Sequence, residues 1–197
     1  MLKVFAVAAG AALLALAPGV ASAQQDTSED GALCVYEALM ADTDYEVVAE
    51  AYLYGGAAED TKEAEDLLDR IGQTCSDKYK LTEDELSAAT DMGVYGGTVD
   101  YLSEELTLAG VDDAVIGKVF DLYDALSDDN VDQFLSADWR DDANFVAEMN
   151  KSLSGTGLPQ SEFEVAREMI AAQILSDDAM MNYLMVTLDD EPETATP

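Results

Sequence analysis

The sequence contains no histidine, and this absence removes a large share of enzyme chemistry. Histidine is the usual general base, and the Ser-His and Cys-His nucleophile pairs depend on it. No serine stands three residues before any lysine, and Gly155-Thr156-Gly157 lacks the third glycine and the preceding strand of a dinucleotide loop. A pair of carboxylates could still cleave a glycosidic bond. With 42 acidic residues, however, suitably spaced pairs arise by default and carry no signal. The composition therefore predicts a protein that is not an enzyme.

Basic residues are also scarce. Lysine and arginine number 9 against 42 aspartates and glutamates, a formal net charge of -33. Such a surface repels nucleic acid and anionic lipid, which excludes both as partners. It attracts a basic protein, a cationic polymer or divalent cations. The alternative is a salt-adapted surface, on which carboxylates only hold water and no dedicated partner exists.

Cysteine occurs twice, too few to bind a metal without histidine. The single long apolar run is residues 4–16, too short for a permanent membrane anchor. Lys3 precedes it, Pro18-Gly19 breaks it, and Ala21-Ser22-Ala23 supplies the small residues of a cleavage site. Residues 1–23 are thus expected to be a signal peptide, with a mature chain starting at Gln24 in the periplasm or outside the cell. Cys34 lies well past the run and is preceded by Gly31-Ala32-Leu33, with leucine where a lipoprotein signal needs a small residue. In an exported chain the two cysteines read as one disulfide, Cys34 to Cys75. Cys75 follows the helical stripe Ala64, Leu67, Leu68 and Ile71, and Cys34 adjoins a stripe of Leu33, Tyr36 and Met40.

What the sequence does contain is helix. Residues 81–109 carry the clearest pattern: Thr82 and Glu85 have capping-box spacing, with Leu81 and Leu86 placed as a hydrophobic staple. Ala88, Met92, Tyr95, Val99, Leu102, Leu106 and Ala109 then recur in steps of three and four, and Gly110 supplies a left-handed stop. The stripe crosses Gly96-Gly97 in phase, which predicts one long helix approached closely by a neighbour there.

The remaining chain reads in the same way. Residues 24–30 are polar and expected to be disordered, with a short helix over 31–40. Thr43 and Glu46 form a second capping-box pair, opening a helix that breaks or kinks at Gly55-Gly56. Asp112 is placed to cap a helix striped by Val115, Val119, Leu122 and Leu126. Trp139, Ala143, Val146, Met149 and Leu153 mark another, and Ser161 with Glu164 forms a third capping-box pair. A last helix is expected from Ser176, with Met181, Leu184, Met185 and Leu188 inward. Residues 189–197 lack apolar periodicity and read as a disordered acidic tail. At an offset of 41, Cys34 falls on Cys75 and Tyr54-Gly55-Gly56 on Tyr95-Gly96-Gly97, as a duplicated helical hairpin or a chance match would give. No segment reads as a strand. The expected fold is an all-α bundle of six to eight helices over 31–188, tied by one disulfide.

Three constellations bear on binding. Asp128, Asn130 and Asp132 match the first ligand positions of an EF-hand calcium loop. The match fails at Gln133, where glycine is needed, and at Trp139, where the bidentate glutamate belongs. Met180, Met181 and Met185 offer thioethers to copper, although methionines at helical spacing more often fill a core. Tyr52, Tyr54 and Tyr101 are candidates to line a groove for a protein or small ligand. Together these features predict a non-catalytic binding or interaction module with an acidic face and no required cofactor.

Overall fold

The computed structural model describes residues 24–42, 45–55, 58–136 and 138–189. Residues 1–23 and 190–197, together with Thr43 and Gly56, lie outside the described residues. Among the described residues there are eight α-helices and no strand. The helices are α1 (Gln24–Asp42), α2 (Tyr45–Tyr54), α3 (Ala58–Tyr79) and α4 (Glu83–Leu108), followed by α5 (Asp113–Asp124), α6 (Asp128–Leu135), α7 (Ala143–Leu153) and α8 (Phe163–Asp189).

Helix α4 forms as its sequence dictates. Thr82 accepts from the backbone N–H of Glu85 at 3.3 Å, and Glu85 Oε2 accepts from the N–H of Thr82 at 2.7 Å. At the other end Gly110 takes φ +85°, its N–H donates to Thr107 and the N–H of Val111 donates to Leu106, a Schellman closure. Burial extends beyond the expected stripe: Ala89, Gly93, Gly97 and Thr98 are buried as well, because neighbours cover two sides of the helix. A Cβ on Gly93 would meet Val35 Cγ1 at 2.7 Å, one on Gly96 would meet the Tyr36 ring at 3.0 Å, and one on Gly97 would meet Tyr45 Cβ at 3.2 Å. The glycines thus let α1 and α2 seat directly against the α4 backbone.

Helices α4 and α8 form an antiparallel central pair. The N-terminal half of α4 shares a buried cluster with Ala179 and Tyr183 of distal α8, joined by Val35, Leu39, Val48, Leu67 and the disulfide. Its C-terminal half shares another with Phe163 to Ile174 of proximal α8, joined by Val119, Phe134, Trp139, Phe145 and Met149. The second cluster holds an edge-to-face aromatic group, with Phe134 centroids 5.1 Å from Trp139 and 4.8 Å from Phe145. The expected disulfide is present, with Cα atoms 5.8 Å apart, and pins α1 to α3.

Several local expectations are corrected. Helix α1 begins at Gln24, not near Gly31, so 24–30 is helical backbone: once a packed nucleus exists, each added residue gains a hydrogen bond. On α1 it is Ala32, Val35 and Leu39 that are fully buried, while Leu33, Tyr36 and Met40 flank them. Asp112 occupies the N-cap position of α5 but makes no side-chain cap bond. Trp139 belongs to a separate 3-10 turn, Trp139–Asp141, and α7 starts after Asp142, which accepts from the N–H groups of Asn144 and Phe145. Gln160–Glu162 form a 3-10 turn leading into α8, so Ser161 is not a cap. No glycine or proline interrupts 163–189, and α8 runs through Ser176 as one helix. Its distal inner face is Ala179 and Tyr183, and Met181, Leu184, Met185 and Leu188 point to solvent. Gly55, at φ +53°, does end α2, whereas its counterpart in the 41-residue echo, Gly96, remains helical.

Candidate functional site

The calcium-loop residues Asp128, Asn130 and Asp132 lie on α6 itself, so no loop wraps a cation there. A residue two positions along a helix is rotated by about 200°, which turns Asn130 away from its two neighbours. Among the described residues, no group of three or more carboxylate or thiolate side chains converges as a metal site. The aspartates at this end serve the helix start instead, beside Ser127, which accepts from the Asn130 N–H.

The three candidate tyrosines are not gathered around one hollow. Tyr54 is exposed. Tyr101 donates to Glu50 at 3.4 Å. Tyr52 packs edge-on against Tyr95, with centroids 5.3 Å apart, near Arg140. Arg140 holds Glu168 through two bonds, at 2.7 and 2.5 Å, and stacks over Trp139. This arrangement fastens α2 to the second cluster.

A different tyrosine lines a cavity. Between α1, α4, α5 and α8 lies a hollow of about 380 Å³ walled by Leu33, Tyr36, Met92, Val99, Phe120 and Met180, with Gly96 beside Tyr36. Its polar groups are Asp100, Gln173, Ser176 and Asp177. Tyr36 Oη donates to Asp100 Oδ2 at 2.8 Å. Burial first, and the adjacent carboxylate second, push the Tyr36 hydroxyl up to about 12. Burial also holds the Asp100 carboxyl above its ordinary range, against the opposing pull of the Tyr36 hydrogen bond. Asp177 is already engaged: Gln173 donates to one oxygen at 3.0 Å and Tyr123 to the other. The cavity sits where the two buried clusters meet, since Met92 belongs to one and Val99 to the other.

Sequence reading missed this site, although one signal for it exists. Met92, Gly96, Val99 and Asp100 fall at i, i+4, i+7 and i+8, so Asp100 is an acid in phase with an apolar helix face.

The second feature is an open stripe on distal α8. Met181, Leu184, Met185 and Leu188, at i, i+3, i+4 and i+7, are 57%, 43%, 57% and 70% exposed. A smaller cleft of about 170 Å³ bounded by Val131, Leu135, Ile174 and Met181 carries the stripe towards α6. No helix among the described residues is long and apolar enough to cross a membrane.

The class these features define is an all-helical, disulfide-tied bundle with a mixed apolar and acidic cavity and an uncovered apolar helix face among the described residues. Comparison with known proteins finds no matching family model, no matching curated protein and no matching solved structure.

Proposed function

We propose that this chain is an exported, non-catalytic interaction module that holds an amphipathic helix, flanked by positive charge, from a partner protein. One observation carries the reading: among the described residues the four-residue apolar stripe of distal α8 stands uncovered, with Asp177 and Asp178 bordering the cleft beside it. No lysine or arginine occurs between Lys118 and Arg140, or anywhere after Arg167. The cleft that carries the stripe towards α6 is bordered by Asp177 and Asp178 and by no basic residue. An apolar face at helical spacing fits a helix laid into it, and flexible methionines adapt to its side chains. The charge chooses the occupant. A second copy would bring like charges together, whereas a lysine- or arginine-flanked helix would be steered in and paired.

The reading is tested with the mature chain and two synthetic peptides that share one leucine face, flanked by lysines in one and by glutamates in the other. At about 0.15 M salt, where screening acts beyond about 8 Å, the lysine peptide binds saturably and the glutamate peptide does not. Leu184→Glu with Met185→Glu weakens binding about tenfold or more without altering the melting curve, because both side chains are exposed. Equal binding of the two peptides, or undiminished binding by the variant, overturns the proposal. So does a dimer in sedimentation that the variant disperses.

A further inference from the structure

We infer that the cavity between α1, α4, α5 and α8 is a binding site for an organic ammonium ion carrying an apolar body. Its size suits a small molecule, and its composition, mostly apolar with a few placed polar groups, is that of a ligand site rather than a packing flaw.

Asp100 decides the sign of the ligand's charge. Its carboxylate accepts from Tyr36 Oη, and neither ion pair among the described residues, Lys62 with Asp66 or Arg140 with Glu168, includes it. A carboxylate partly withdrawn from water, among hydrocarbon and with no counter-charge, would gain one from an ammonium group. Asp177, on the same wall, has its two oxygens occupied by Gln173 and Tyr123. Asp100 is thus the anchor and Asp177 a background field of the same sign. Tyr36 and Phe120 add aromatic rings, which attract cations through their faces.

The apolar remainder decides the ligand's body. A divalent cation asks for six to eight oxygen ligands, and Met92, Val99, Phe120 and Met180 provide none. They would instead cover an alkyl or aryl group. Ligand class follows: a monovalent amine or quaternary ammonium with a short hydrocarbon part, in preference to a metal ion, an anion or a neutral hydrocarbon. The site shares Asp177 with the border of the α8 stripe but none of the stripe's apolar residues, and its test does not depend on the peptide result.

The mature chain is titrated calorimetrically with phenethylammonium chloride, with sodium phenylacetate and calcium chloride as matched probes. The amine binds saturably, phenylacetate gives no heat of binding, and calcium does not compete. Asp100→Asn is nearly isosteric and its amide oxygen still accepts from Tyr36, so the fold persists while amine affinity drops about tenfold or more. Asp91→Asn, an exposed aspartate on the same helix, removes the same charge from the molecule and leaves affinity unchanged. Met180→Trp fills the cavity and abolishes binding with Asp100 intact. Overturning results are an amine that binds no better than phenylacetate, equal weakening by Asp91→Asn and Asp100→Asn, or unchanged affinity in Met180→Trp.

Discussion

Tyrosine hydroxyls in this molecule lie against carboxylates again and again: Tyr36 donates to Asp100, Tyr45 to Glu104 and Tyr123 to Asp177. Ionising such a phenol places two negative charges side by side, so each resists losing its proton. Burial for Tyr36, Tyr101 and Tyr183, and the Glu104 hydrogen bond for Tyr45, push these four up to about 12 from an ordinary 10.0. A group whose folded value is raised contributes stability that is complete below its unfolded value and is lost as pH climbs through the folded one. Stability should therefore hold up to about pH 10 and fall steeply between 10 and 12. Tyrosine absorbance near 295 nm, followed together with circular dichroism, checks this: the phenols should titrate late and as the helices melt. Tyr36→Phe should flatten part of that fall.

Among the helices, α1 approaches α4 closely, and glycine makes the contact. Gly93→Ala would drive a methyl into Val35 and to 3.1 Å from the Tyr36 backbone nitrogen, and should destabilise by about 1–3 kcal/mol. Gly117, within α5 and with nothing within 4 Å of an added Cβ, is the contrast. Gly117→Ala should stabilise by about 0.5–1 kcal/mol, because alanine loses less backbone freedom on folding. Urea unfolding of both variants reads the opposite signs. Much of this level was legible in the sequence where local chemistry governs: Thr82 and Glu85 announced the start of α4, Gly110 its end, and Gly96-Gly97 its close neighbour. Distal α8 was not legible, because an apolar stripe marks a face without saying whether anything covers it. Met181 and Leu184 have helical spacing whether they meet a core or water. Tyr183, with its polar hydroxyl, is the residue that turns inward beside Gly31. The cavity was hidden for a related reason: its wall comes from four helices distant in sequence, and only Asp100 broke the pattern locally.

At the scale of the whole molecule, a net charge of -33 opposes compaction, and one covalent tie resists it. The bridge from Cys34 to Cys75 spans 41 residues. On the chain-entropy relation, closing such a loop stabilises by about 4 kcal/mol. Reduction should lower the melting midpoint by about 10 °C. Scanning calorimetry with and without reductant checks this, and an unchanged midpoint would show that the tie contributes nothing.

Two hydrophobic nuclei share one pair of long rods, α4 and α8. Coupling between them runs through those rods and through α2, which gives Val48 to one nucleus and packs Leu53 against the other, across a junction that is partly hollow and carries a carboxylate. Whatever fills that junction would stiffen the grip of one nucleus on the other, and an empty junction leaves that grip looser.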